Sequence, residues 1–230
     1  MSINVPKNSK PYMKKNNVLS PQLAEYIDRH TSALPNYMQE LERDTYLKVL
    51  MPQMLSGNVQ GVFLQLFSKT LCPQYILEIG AFTGYSSICL AKGLTPKGHL
   101  YTIDINEELE ELAKTYFAKA GLQDKTTFMC GDATQLIPKL DKKFDLIFID
   151  ADKRNYAEYY RLCLPKLTDR GIMLVDNVLW DGKVAHREQF NDKDTIALRN
   201  FNEMVQADTR VMNTILPIRD GIMLISKHKS

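Results

Sequence analysis

Two apolar runs in this chain end in oxygen ligands: FDLIFID closes on Asp150, and GIMLVDN closes on Asp176 and Asn177. Two carboxylates and an amide oxygen at one rim suit a hard divalent cation, Mg²⁺ first with Mn²⁺ or Ca²⁺ as alternatives, rather than zinc. Continuous apolar runs leave no solvated side, so each reads as a strand buried on both faces. Such strands belong to parallel sheets, whose carboxyl ends open onto the ligand crevice. The competing reading makes each Asp a helix cap or a turn residue. That suffices for one Asp alone; two strand ends with an adjoining Asn favour the ligand set.

A second group lies upstream, in Glu78-Ile79-Gly80-Ala81-Phe82-Thr83-Gly84-Tyr85-Ser86. Glycines after a first strand let the backbone pass close to a ligand and turn into a helix. The third glycine of a nicotinamide-type GxGxxG is missing, and Glu78 two residues before Gly80 would repel a pyrophosphate. An acid there suits a cofactor with positive charge, such as the sulfonium and ammonium of S-adenosylmethionine. Asp104, at the end of YTIDIN, is placed to accept from ribose hydroxyls, and Gly131-Asp132-Ala133 to read an adenine edge. Helix capping is the alternative for both Asp104 and Asp132.

The elements that would position these groups follow from periodicity. Residues 21–71 read as a helical cap in which Ile27, Leu34, Met38, Leu41 and Leu47 recur at helical intervals, ending at Cys72-Pro73. Strict strand–helix alternation follows: YILEIG, HLYTIDI, TTFMCGD, FDLIFID and GIMLVDN are the strands. That pattern predicts an α/β fold, a doubly wound and mostly parallel sheet with helices on both faces. TRVMNTILPI and GIMLISK are separated by too few residues for a crossover, so they predict a terminal hairpin and a seven-stranded sheet with one reversed strand.

At 230 residues, 44% hydrophobic and 24% charged, the chain reads as one globular domain, 1–230, that folds without disulfide or metal support. A net charge of +2 is too mild to argue for nucleic acid or a membrane surface. No apolar run approaches a bilayer span and no signal peptide is evident. Residues 1–20 read as a basic flexible tail, with a lid or RNA contact as the alternative. Cys72, Cys89, Cys130 and Cys163 form no CxxC pair, and their apolar surroundings predict buried free thiols in a reducing cytoplasm. The four histidines show no metal spacing.

The motifs LEIGAFTGYSS, YTIDIN, GDA, FIDADKRNY, LVDNVLWDGKV and LPIRDGIMLISK, in that order over Met54 to Lys227, resemble the cation-dependent O-methyltransferases, which include catechol and caffeoyl-CoA O-methyltransferases. The resemblance implies a Rossmann-like class I methyltransferase fold, S-adenosylmethionine as methyl donor, and a divalent metal on Asp150, Asp176 and Asn177. It implies Lys153 beside the acceptor hydroxyl, with Lys153 and Asp150 carrying the chemistry. Donor contacts are implied at Ser56, Glu78, Gly80, Ala81, Ser86, Asp104, Ala133 and Asp152, and Met54 matches a position beside the transferred methyl. Trp180 and Asp181 match positions that face the acceptor, and a homodimer is implied. Arg219 departs from the family's usual glycine, Ser56-Gly57-Asn58-Val59 departs from the usual Ser-Pro-Glu loop, and residues 183–194 match no motif.

Tyr156, with Tyr159 and Tyr160, crowds the helix after Lys153; an aromatic acceptor wall and half-buried packing are the two readings. Lys153 would take the phenol's proton or favour the anion by its charge, against an exposed first-turn lysine as the plain alternative. The acceptor expected is a small vicinal diphenol. Methylation of a hydroxylated uridine in tRNA is an alternative that needs a basic surface, hinted at only by the N-terminal Lys7, Lys10, Lys14 and Lys15 with Arg187, Arg199 and Arg210. A non-catalytic S-adenosylmethionine-binding module and an NAD-dependent dehydrogenase are further alternatives.

Overall fold

A computed structural model describes residues 20–228. The expected basic tail therefore lies outside the described residues, except Ser20, whose side chain accepts from Leu23 N–H to cap the first helix. Three helices come first: α1 (Pro21–Arg29), α2 (Asn36–Lys48) and α3 (Gly57–Leu71). α3 stops where Cys72 takes a left-handed conformation before Pro73, which cannot continue a helix.

The alternating part contains β1 (Tyr75–Ile79), α4 (Tyr85–Ala91), β2 (His99–Asp104), α5 (Glu110–Lys119), β3 (Thr126–Cys130), α6 (Ala133–Leu136) and β4 (Phe144–Ile149). It continues through α7 (Tyr156–Cys163), β5 (Leu167–Val175) and α8 (Lys193–Gln206) to the hairpin β6 (Val211–Leu216) and β7 (Ile222–Lys227). The strands form one seven-stranded sheet in the order β3-β2-β1-β4-β5-β7-β6. Only β7 runs against its neighbours, as the short final connection requires.

The apolar runs are explained by burial on both faces. Leu77, Ile79, Ile147, Ile149, Met173 and Val175 pack beneath α6, α7 and α8. Their alternates Ile76, Leu146, Phe148 and Leu174 pack beneath α2, α3, α4 and α5. Register aligns the strand ends: Ile79 pairs with Ile149, and Ile149 with Val175. Asp150 and Asp176 each follow a partner in this ladder, so they emerge side by side. The strand order reverses between β1 and β4, which is where open α/β sheets bind ligands.

Three expectations change. Leu47 is 69% exposed, and the helical stripe continues instead through buried Thr45, whose hydroxyl donates to the Leu41 carbonyl. Cys72 and Cys130 are exposed while Cys89 and Cys163 are buried, all four as free thiols; flanking apolar residues did not carry the two strand- and helix-terminal cysteines inward. β5 begins at Leu167, before the expected Gly171, because Leu167 pairs with Phe144 ahead of a register shift. Among the described residues no helix is long and apolar enough to cross a membrane.

Candidate active site

The carboxyl ends of β1 to β5 open into a cavity of about 1420 Å³. On one wall, Asp150 and Asp176 follow paired strands. Asp176 is 2% exposed, and burial together with the neighbouring Asp150 charge holds its carboxyl above the ordinary range. Gln60 Nε2 donates to Asp176 Oδ2 at 2.5 Å, and Asn177 N–H donates to Oδ1 at 2.7 Å. Asn177 lines the cavity at φ 58, a left-handed conformation that Asn tolerates better than most residues.

Lys153 Nζ donates to Asp150 Oδ1 at 3.0 Å and to the Tyr156 hydroxyl at 2.7 Å, with its side chain only 10% exposed. Tyr156 in turn donates to the Asp176 carbonyl at 3.1 Å. One ammonium thus faces two adjacent carboxylates, and a cation would find the wall still acidic. Among the described residues no three His, Cys, Asp or Glu side chains gather around a metal position. The set is two carboxylates and an amide, which fits a hard ion that keeps water or substrate oxygens as its other ligands.

Across the sheet's switch point lies the glycine loop. Gly80 has φ 98, and a Cβ there would stand 2.0 Å from the Asp150 carbonyl oxygen, so the glycine is required where β1 passes β4. Asp104 Oδ2 accepts from Phe82 N–H at 2.7 Å and Oδ1 from Asn106 N–H at 2.9 Å. It therefore fastens the loop instead of capping a helix, and it also lines the cavity. Asp132 does cap α6, accepting from Thr134 N–H and hydroxyl at 2.8 Å each, while also lining the cavity. Asp152 accepts from Tyr159 at 2.5 Å and Asn155 at 2.7 Å.

A family model described as O-methyltransferase matches residues 28–228. The chain belongs to the O-methyltransferase family. It is 34% identical over 206 residues to a catechol O-methyltransferase of Niastella koreensis, covering 86% of this chain and 92% of that one. A probable caffeoyl-CoA O-methyltransferase of Dictyostelium discoideum is 32% identical over 210 residues, covering 89% and 91%. Among solved structures, an O-methyltransferase from Bacillus cereus in complex with SAH superimposes with a TM-score of 0.82 at 29% identity, covering 90% and 97%. A SAH-bound methyltransferase from Podospora anserina gives 0.84 at 26% identity, covering 90% and 94%.

In this O-methyltransferase the cavity gathers the expected residues of both groups: Met54, Ser56, Gly80, Ala81, Ser86 and Ala133 join the acids already named, and Trp180 and Asp181 stand beside Asn177. Two expected residues are elsewhere. Tyr156 is fully buried against Phe201, ring centroids 5.6 Å apart, and does not line the cavity. Its helix turns it toward α8, so it supports Lys153 from behind and is no acceptor contact.

Glu78 is also fully buried and lies beneath the lining. Its carboxylate accepts from Ser86 and Thr102 hydroxyls at 2.6 Å each and from Ser87. Burial pushes its pKa up to about 7 from 4.5, although the three hydroxyls oppose the shift. The folded protein then holds a proton that the unfolded chain has lost, so stability falls as pH rises through that window and levels off above it. Between about pH 4.5 and about pH 7 the wild type is expected to lose about 3 kcal/mol more than Glu78→Gln. Thermal midpoints of the two proteins should therefore diverge by roughly 6–12 °C; parallel profiles would contradict this.

Sequence reasoning missed Gln60. It is 1% exposed on the core face of α3, and the usable signal was a polar residue inside the apolar run VQGVFLQLF. Arg219 has φ 50 within a turn closed by Gly221 N–H donating to the Ile218 carbonyl at 2.9 Å, which explains why a glycine is comfortable there. The unmatched 183–194 loop is tied down by Arg199, which donates to the carbonyls of Lys183, Val184 and His186 at 2.9–3.0 Å. Arg199 is thus buried, Arg187 pairs with Glu203, and Arg210 pairs with Asp208. The N-terminal lysines expected to share a basic surface with these arginines lie outside the described residues.

Proposed function

We propose that this O-methyltransferase transfers a methyl group from S-adenosylmethionine to a hydroxyl of a small vicinal diphenol, with a divalent cation held by Asp150, Asp176 and Asn177. The observation that carries the reading is the ladder register: it sets Asp150 and Asp176 side by side with Lys153 on one wall of a cavity, facing the Gly80 loop and Asp104. The SAH-bound relatives support the donor, and the catechol and caffeoyl-CoA enzymes support the acceptor class.

The donor supplies an electrophilic methyl on a sulfonium. When bound, a hard divalent cation lowers the pKa of a nearby hydroxyl, which matters because a phenol titrates near 10, like tyrosine. The chain's own residues do the rest. Asp104, on the cavity lining, is placed to accept from ribose hydroxyls, and Glu78 braces the donor loop from beneath through Ser86, Ser87 and Thr102. Lys153, fixed between Asp150 and Tyr156, either holds positive charge that favours the phenolate or, as the neutral amine, takes up the proton the phenol loses. Trp180 flanks Lys153, with Nζ 5.8 Å from the ring centroid, and offers a flat wall to an aromatic acceptor.

Transfer of labelled methyl to catechol is expected to exceed transfer to phenol by roughly a hundredfold, because the second hydroxyl completes the cation's oxygen set. Equal rates on the two would sink the diphenol reading.

A further inference from the structure

The cavity wall carries four basic side chains, and three have carboxylate partners. Lys48 pairs with Asp44 at 2.8 Å, Lys153 with Asp150 at 3.0 Å and Arg154 with Asp194 at 2.8 Å. Arg219 differs: among the described residues it forms no ion pair. Its Nη1 donates to the Leu55 carbonyl at 3.2 Å and to Gln60 Oε1 at 3.1 Å, both neutral acceptors. The adjoining acid, Asp220, turns its Oδ1 to the Asp181 N–H instead.

A guanidinium anchored through one nitrogen keeps its Nε–H and Nη2–H edge for a second partner. Two parallel donors on that edge match the two oxygens of a carboxylate. Position selects whose carboxylate. Gln60 bridges Arg219 to Asp176, so a single side-chain amide separates the guanidinium from the acidic pair. The turn carrying Arg219 is fastened to the segment after Asn177: Val178 N–H donates to the Gly221 carbonyl at 3.1 Å and Leu179 N–H to the Asp220 carbonyl at 2.9 Å. Arg219 therefore stands on the β5–β7 side with Trp180, reaching Leu55 between Met54 and Ser56, while Asp104 ends β2 and Gly131 follows β3 on the other half of the sheet.

We propose that Arg219 is a specificity-determining residue that receives a carboxylate carried by the acceptor, making the preferred substrate an aromatic acid with vicinal hydroxyls. This rests on the diphenol reading above. The donor's amino-acid carboxylate is the other source of the same chemistry, and the test separates the two.

Calorimetric affinities of 3,4-dihydroxybenzoate and its methyl ester would be measured on SAH-loaded protein with Mg²⁺, for wild type, Arg219→Gly and Arg219→Lys. Glycine is unstrained at this backbone angle, so the first variant should fold. Wild type should bind the acid ten- to a hundredfold tighter than the ester, on the order expected for hydrogen bonds to a charged group. The ratio should collapse to within about threefold in Arg219→Gly and be partly kept in Arg219→Lys. No binding of the acid, equal affinities in wild type, or a preference that survives in Arg219→Gly would overturn the proposal. So would a loss of SAH affinity in Arg219→Gly with the acid-to-ester ratio unchanged, which would assign the carboxylate to the donor. If both compounds bind and neither is methylated when S-adenosylmethionine replaces SAH, the diphenol reading fails while the binding ratio still decides Arg219.

Discussion

Asp176→Ala is expected to reduce methyl transfer by about 10³-fold or more while leaving SAH affinity within about threefold of wild type. The split follows from where the two halves of the site come from. Asp176 ends β5 and meets Asp150 and Gln60, whereas the donor loop is built on β1 and fastened by Asp104 from β2. Removing the carboxylate takes a ligand from the proposed cation site and leaves the loop's hydrogen bonds untouched. It also strands the Gln60 amide, a buried donor whose loss of partner costs about 1–3 kcal/mol. A thermal scan should accordingly show a modest fall in midpoint, which separates this cost from the catalytic loss. Turnover within tenfold of wild type would remove Asp176 from the chemistry.

The second large effect concerns Lys153. Lys153→Met is expected to lower kcat by about 10²–10⁴-fold, the range for a group that manages a proton in the transition state. Its ammonium bridges Asp150 and Tyr156 and lines the cavity beside the acidic pair. Methionine keeps the stem's bulk while charge and donors vanish. A guanidinium in the same place keeps a charge but cannot release its proton, so comparing Lys153→Met with Lys153→Arg separates the two roles. Recovery of most activity in the arginine variant assigns electrostatic stabilisation; equal loss in both assigns proton transfer. A fall of less than tenfold in Lys153→Met contradicts either role.

Much of the fold was legible because burial writes itself into the sequence. FDLIFID and GIMLVDN read as two-sided strands, and the two core clusters divide their side chains between the faces of the sheet. The terminal hairpin followed from the length of its connection alone. Ends and edges were harder. Leu47 matched a helical interval yet is exposed, because a stripe over so short a helix does not distinguish Leu47 from Thr45. Cys72 and Cys130 sit beside apolar residues but at element termini, where the chain turns outward.

Within the site, the residues on strand ends were legible, since a βα turn delivers them to one rim whatever the tertiary detail. What lies behind that rim was not. Tyr156 was readable as an aromatic on the right helix, but its rotation toward Phe201 depends on the packing of α7 against α8. Glu78 was readable as an acid at the right place, but its three hydroxyl partners come from α4 and β2. Gln60 and Arg219 are separated by 159 positions in sequence, and only the folded chain shows them bonded. Such long-range polar contacts leave no periodicity to read.

If the acidic pair works through a divalent cation, methyl transfer must depend on that cation and on Asp176 together. The dependence is read by following transfer to catechol across a magnesium titration of chelator-treated protein, with wild type and Asp176→Ala side by side. Wild type should show no transfer before magnesium is returned and saturable recovery as it is added, with no recovery in Asp176→Ala. Sustained transfer by metal-free wild type, or equal recovery in both proteins, would contradict a cation held by Asp150, Asp176 and Asn177.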